Sequence, residues 1–297
     1  MIALIAGNRP QYIKAEIILK KLKCTYIDTG QHYGNMASPF IKTKPNYSLK
    51  VDNSRLISLM SPLYDLLSEL RPQLVVVIGD TNTTLAGALV ANELHIPIAH
   101  IESGLRSYED MPEESNRVMV DHISKYHFCP TKSAIENLAK EGIYSEVYAS
   151  GDVMAEVISG TWEPEDYILA TIHRQANVDK KDKLENVLNT IKTLYPGEHI
   201  VWPMHPRTAK MIKEFGLDTG EIDVIEPVNF EEMIELERHA KSIVTDSGGV
   251  MREAYLLGVP FIVLRNNTEW EELKSGERGL LGSDASDRIK NILEDYE

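Results

Sequence analysis

The chain is poor in cysteine, in positive charge and in long apolar runs, and each shortage closes off a class of protein. Two cysteines, Cys24 and Cys129, stand among 297 residues. That number builds no disulfide framework and offers no metal-ligand spacing. Lys and Arg total 31 against 45 Asp and Glu, a formal net charge of −14. A field of that sign repels polyanions, which argues against nucleic acid or an anionic membrane as the main partner. Any phosphate must instead be met by a few placed cations and backbone amides. The longest apolar runs, such as Leu74 to Ile78, fall far short of the roughly 18 residues that span a bilayer. The opening MIALIAGNRP has no basic lead and too short an apolar run for a signal peptide, so a cytoplasmic location is expected. The first strand is not followed by G-x-G-x-x-G, which weakens a dinucleotide reading, and there is no G-x-x-x-x-G-K-[ST]. A G-x-S-x-G elbow and an H-x-x-x-H pair are missing too, so neither a serine hydrolase nor a metal site is expected. Short-period repeats and low-complexity tracts are also lacking.

What is present is alternation. Apolar strand segments at Ile2 to Ala6, Thr25 to Thr29, Leu74 to Ile78, Ile98 to Ile101, Tyr126 to Cys129 and Glu146 to Ala149 are separated by helical patterns. Pro10 suits the start of the first helix, whose apolar face is Ile13, Ile17, Ile18 and Leu22. A small-residue helix is expected from about Thr83 to Leu94. A second series follows: Tyr167 to Thr171, Ile200 to Trp202, Val224-Ile225, Ser242 to Thr245 and Phe261 to Leu264. Its helices are expected at about Asp179 to Leu194, Thr208 to Phe215, Phe230 to His239 and Val250 to Leu257. The pattern predicts an α/β protein of two doubly wound domains, residues 1–158 and 159–297, with Ser159 to Pro164 as the linker.

In open parallel sheets, ligands bind beyond the carboxyl ends of the strands. The notable polar residues fall there. Arg9, Gln31-His32, Asp80 and Glu102 follow strands of the first half; His173-Arg174, His205 and Asp246-Ser247-Gly248-Gly249 follow strands of the second. If the two sheets face each other, these groups converge on one interdomain cleft. Each has a plainer reading. Asp80 could cap the next helix, and Glu113 and Glu114 could be the acidic first turn of another. Arg117, four residues after Glu113, could form a helical pair with it. His100 reads as a satisfied core histidine. Glu102 at a buried strand exit is harder to dismiss, because a carboxylate there needs a partner. The Ser247-Gly248-Gly249 turn lets backbone approach a ligand, and its amides and helix start suit a phosphate. Glu253, further along that helix, could accept hydrogen bonds from a ribose.

Read together, the segments form a recognisable set. Gly-Asn-Arg-Pro-Gln-Tyr-Ile-Lys (7–14), Asp-Thr-Gly-Gln-His (28–32), Gly-Asp-Thr (79–81) and His-Ile-Glu-Ser-Gly-Leu-Arg-Ser (100–107) occur in order. Pro-Glu-Glu-Ser-Asn-Arg (112–117), His-Arg (173–174) and Thr-Asp-Ser-Gly-Gly-Val-Met-Arg-Glu-Ala (245–254) complete them. The set resembles the non-hydrolysing UDP-N-acetylglucosamine 2-epimerases, from residue 1 to about residue 282. The resemblance implies a glycosyltransferase-B-like pair of Rossmann-like domains and interconversion of UDP-N-acetylglucosamine with UDP-N-acetylmannosamine. The implied route eliminates UDP to a bound 2-acetamidoglucal and adds it back, with no cofactor, in a homodimer. It makes Asp80, Glu102, Glu113 and His173 catalytic. It places the diphosphate on Arg9, Lys14 and the amides of Ser247, Gly248 and Gly249, and the ribose on Glu253, with Arg117 and His205 as further substrate-binding positions.

The chain departs from the family at several points. Asn8 and Gln11 replace the usual Thr and Glu, Ala176 stands where Glu is usual, and Tyr33 and Trp270 replace basic residues. It is also shorter, around the linker and in the C-terminal tail that crosses back to the first domain. Rival readings are a glycosyltransferase or a UDP-sugar hydrolase of the same fold, or a catalytically degenerate nucleotide-sugar-binding protein. Retention of four acid–base residues favours catalysis, since a binding module has no need of all four.

Overall fold

The structure is a computed structural model that describes residues 1–31, 42–51, 54–158, 160–264 and 284–296. His32, Tyr33 and Trp270 lie outside the described residues. Two compact units divide the chain, one holding Met1–Val157 together with the C-terminal helix, the other starting at Ile158.

In the first unit the strands are β1 (Ile2–Ala6), β2 (Cys24–Asp28), β3 (Tyr47–Ser48), β4 (Leu74–Ile78), β5 (Ile98–Ile101), β6 (Tyr126–Cys129) and β7 (Val147–Ala149). They form one sheet in the order β3-β2-β1-β4-β5-β6-β7, every pairing parallel. All five residues of β1 and of β4 are buried, as strands covered on both faces require. Alternation sorts their side chains. Ile2, Leu4, Ala6, Leu74, Val76 and Ile78 enter one core; Ala3, Ile5, Val75 and Val77 enter the other.

The helices are α1 (Arg9–Leu19), α2 (Leu56–Leu70), α3 (Asn82–Glu93), α4 (Pro112–Ile123) and α5 (Lys132–Lys140). α1 starts one residue before Pro10, on an Asn8 cap whose side chain accepts the Gln11 N–H at 3.1 Å. α2 keeps Pro62 inside it, although proline ordinarily ends a helix. Its buried stripe Leu59, Leu63 and Leu67 shows what outweighs the lost backbone bond: burial of a leucine contributes about 1.5–3 kcal/mol.

The second unit pairs β8 (Ile168–Thr171), β9 (Ile200–Pro203), β10 (Asp223–Ile225), β11 (Ser242–Thr245) and β12 (Phe261–Val263) in the order β10-β9-β8-β11-β12. Its helices are α6 (Gln175–Val178), α7 (Lys181–Leu194), α8 (Pro206–Phe215), α9 (Phe230–His239) and α10 (Gly248–Leu257). The segment expected as a linker is fastened within this unit. Trp162 Nε1 donates to the Ala240 carbonyl at 2.9 Å, and the Glu163 N–H to the Arg238 carbonyl at 3.2 Å.

The expectation that the second domain runs to residue 297 is corrected. Helix α11 (Ala285–Leu293) sets Ala285, Ile289 and Leu293 into the core that holds Ile2 and Leu4. Glu156 accepts from the Ser286 N–H and hydroxyl, both at 2.6 Å, and the N-terminal ammonium donates to the Tyr296 carbonyl at 3.0 Å. An apolar i, i+4, i+8 stripe must be covered, and the open face of the first sheet covers it.

Candidate functional site

Each sheet reverses its strand order at one place, between β1 and β4 in the first unit and between β8 and β11 in the second. Ligand sites of open α/β sheets form at the carboxyl ends around such points. Arg9 and Asp80 follow the two strands at that point in the first unit, His173 and Ser247 those in the second, and Glu102 and His205 follow the next strands out.

In the first unit, β1 delivers Gly7 and Asn8 to α1. A Cβ on Gly7 would fall 2.1 Å from the Thr83 hydroxyl and 2.2 Å from that of Thr29, so only glycine lets the turn pass. Buried Gln11 ties the two strand exits together. Its Oε1 accepts the Gly7 N–H at 2.8 Å and its Nε2 donates to the Ile78 carbonyl at 2.7 Å. Gln11 stands where the family usually has Glu; its place in the first turn of α1, buried against the sheet, is the signal that marks its role. Arg9 opens α1, half-buried.

Glu102 leaves β5 at φ +70, a left-handed conformation that is uncommon outside glycine and costs about 1–3 kcal/mol. It is 7% exposed. Its carboxylate receives Lys14 Nζ at 2.6 Å and stands 3.4 Å from where a Gly79 Cβ would be. Lys14, expected on the diphosphate, is thus committed to Glu102, because a buried carboxylate needs a countercharge. Asp80 follows Gly79 and takes Arg117 Nη2 at 2.5 Å, while Asn116 Nδ2 donates to the Asp80 carbonyl at 2.9 Å. The helical pair considered for Arg117 and Glu113 is corrected as well. Arg117 Nη1 joins Glu114 at 2.7 Å, three residues away.

Glu114 also accepts from the Ser107 N–H and hydroxyl, both at 2.9 Å, and from the Tyr108 N–H at 3.0 Å. Burial would raise its pKa, but these bonds and Arg117 outweigh it and hold the carboxyl below its ordinary range. Glu113 lies in the first turn of α4, half-buried, with no hydrogen bond or ion pair to another described residue. His100 is the satisfied core histidine that was expected. Nδ1 meets Asp121 at 2.6 Å and Nε2 the Gly79 carbonyl at 2.8 Å, so the imidazole props the turn that carries Asp80.

In the second unit, fully buried Asp246 organises the site. It accepts from the N–H of His173 and of Arg174, both at 3.0 Å, and from Asn177 Nδ2 at 3.0 Å. His173 then stands 5.6 Å, ring to ring, from His205. Burial lowers the His173 pKa below the ordinary histidine value against the pull of Asp246, and His205 and Arg174 add to the lowering. His205 caps α8. Its Nδ1 accepts the Arg207 N–H at 3.1 Å, which leaves the neutral ring's proton on Nε2 as a donor.

Ser247 caps α10, its hydroxyl accepting the Val250 N–H at 3.4 Å. Its own amide is not open to a diphosphate, because it donates to the Thr245 hydroxyl at 2.9 Å. The amides that this helix start presents are those of Gly248 and Gly249, which have no partner inside the helix. A Cβ on Gly249 would meet nothing closer than 3.7 Å. Ala176 is exposed on the short helix α6. Among the described residues no group of three or more His, Cys, Asp or Glu gathers to hold a metal, and no helix is long and apolar enough to cross a membrane.

A family model described as UDP-N-acetylglucosamine 2-epimerase matches residues 18–296. A Methanococcus maripaludis UDP-N-acetylglucosamine 2-epimerase homolog is 40% identical, covering 98% of this chain and 91% of its own length. A UDP-2,3-diacetamido-2,3-dideoxy-D-glucuronate 2-epimerase of Pseudomonas aeruginosa is 38% identical over 96% of this chain and 89% of its own. The crystal structure of the Methanocaldococcus jannaschii UDP-GlcNAc 2-epimerase in complex with UDP-GlcNAc and UDP is similar at TM-score 0.81 and 34% identity, covering 99% of each chain. Phytolacca americana UGT2 shares the fold at TM-score 0.59 and 13% identity, over 100% of this chain and 90% of its own.

Proposed function

Because the chain belongs to the UDP-N-acetylglucosamine 2-epimerase family, we propose that it interconverts UDP-N-acetylglucosamine and UDP-N-acetylmannosamine. A base takes the proton from C2 while the C1–O bond to UDP breaks, giving 2-acetamidoglucal and UDP. Return of UDP to C1, with a proton delivered to the other face of C2, completes the inversion. Nothing is gained or lost, so no redox cofactor takes part.

The observation that carries this reading is the pair of carboxylates, Asp80 and Glu102, on neighbouring strand exits, each held by its own cation, Arg117 and Lys14. The C2 hydrogen of a pyranose is not activated by a carbonyl, so its removal demands a fixed base and a stabilised leaving group. Asp80, Glu102 and Glu113 supply acid and base at the hexose. Gly248, Gly249, Arg9 and the Nε2–H of His205 take up the charge of the departing diphosphate, with Glu253 on the ribose. His173, kept neutral, carries a proton near the leaving group. The enzyme works as a cytoplasmic homodimer.

A second reading follows from the Pseudomonas aeruginosa relative. The sugar in its name keeps the 2-acetamido group and UDP and adds a 3-acetamido group and a carboxylate. The same C2 chemistry serves both. Incubation with UDP-N-acetylglucosamine in D2O, followed by NMR, tests the first. Deuterium at C2 with a manno product supports it. An inert substrate beside a reacting diacetamido-glucuronate shifts the assignment to the second. Free sugar indicates a hydrolase, and binding without exchange a sensor.

A further inference from the structure

Glu237 on α9 is fully buried, and the chemistry proposed above does not use it. Neither of its carboxyl oxygens has a hydrogen-bond donor among the described residues. Its helix packs against α10, which carries another acid within electrostatic reach, Glu253, the side chain assigned to the ribose. Two carboxylates have four acceptor oxygens and no donor between them, so they can bond only if one keeps its proton. Full burial assigns that proton to Glu237.

We propose that Glu237 is a positioning residue for nucleotide binding: its carboxyl donates to Glu253 and fixes that carboxylate for the ribose hydroxyls. The inference rests on the ribose assignment of Glu253. Among the described residues, the end of α9 and the segment before β8 bring His239 within 3.9 Å of Glu165 and 3.6 Å of Glu235. α10 carries Glu253 and the buried Arg252, and the residue before β8 is Tyr167, whose hydroxyl donates to the Leu236 carbonyl at 2.7 Å. Arg238, next on α9, pairs with Glu235 at 2.7 Å. Desolvation and Glu253 together push the Glu237 pKa well above the ordinary carboxylate value, in keeping with a shared proton. The pair titrates as a unit. Once its second proton leaves, the buried Glu237 anion repels the half-buried Glu253, and the aim of Glu253 is lost.

UDP affinity measured calorimetrically from neutral to alkaline pH tests the proposal, with thermal melts confirming that each variant is folded. The wild type weakens as pH rises. Glu237→Gln keeps a donor without a titration, so it retains the neutral-pH affinity and loses the alkaline decline. Glu237→Leu loses roughly tenfold in affinity, the scale of one charge-assisted hydrogen bond, with KM affected more than kcat. Wild-type affinity in Glu237→Leu, or an unchanged alkaline decline in Glu237→Gln, overturns the proposal. If the wild type binds no UDP, the functional reading fails instead, and infrared spectroscopy of the ligand-free protein still decides. A protonated-carboxyl band at neutral pH that disappears in Glu237→Gln supports the shared proton; its absence from the wild type overturns it.

Discussion

Glu102 combines a left-handed backbone, a lysine partner and burial at a strand exit, and strain of that kind persists only where the surroundings enforce it. Replacement by glutamine keeps the size and removes the base. Glu102→Gln is expected to lose C2 deuterium exchange by about 10²–10⁴-fold, the usual contribution of general acid–base catalysis, while UDP affinity measured by calorimetry stays within a few-fold. Loss of binding instead would make Glu102 structural. At His173 the expectation concerns pH. Its pKa is lowered, so the neutral ring survives below the ordinary histidine value of about 6.5. The acid limb of the kcat/KM profile, which reports the free enzyme, should therefore lie below that value. A limb above it would exclude His173 as its source.

At the scale of elements, the turn from β5 into α4 shows what was legible and what was not. The strands Ile2–Ala6, Leu74–Ile78, Ile98–Ile101, Tyr126–Cys129 and Ser242–Thr245 lie where the apolar runs place them, because central parallel strands are apolar throughout. The anchor of the turn was not legible. Asp121, deep in α4, binds His100 at 2.6 Å, Arg106 at 2.8 Å and the Ser103 hydroxyl at 2.5 Å. No local pattern distinguishes it from a surface aspartate. Burial would raise the Asp121 pKa, but His100, Arg106 and Ser103 outweigh it and hold the carboxyl well below the ordinary range. The sign follows: the stabilisation is present above the unfolded aspartate value of about 3.9 and is lost as pH falls through the native one. Asp121→Asn should cost about 3–5 kcal/mol, as removal of one partner from a buried charge network does. Urea unfolding at neutral and acid pH measures it, and the gap between wild type and variant should shrink in acid.

At the scale of the whole molecule, the chain returns to its first unit at the C-terminus. Leu293 is fully buried beside Ile2 and Leu4, so Leu293→Ala should cost about 2–5 kcal/mol. Hydrogen exchange should show faster opening of β1 and β4 with β8 and β11 unaffected. Equal loosening of both units would contradict the assignment of α11 to the first. The prediction bears on function, since β1 and β4 carry the Gly7 turn and Asp80.

The sequence by itself determined the alternation, the two parallel sheets, the strand exits that carry the acidic and glycine-rich segments, and the family. Those features are local: they depend on periodicity and on residues adjacent in the chain. Tertiary structure alone decided that Lys14 serves Glu102, that Arg117 bridges Asp80 and Glu114 rather than pairing with Glu113, that the Ser247 amide is already used, and that the tail belongs to the first unit. Each is a choice among several partners of suitable charge or polarity. Such a choice is settled by which side chains the fold buries together, because burial makes an unpaired charge or amide costly.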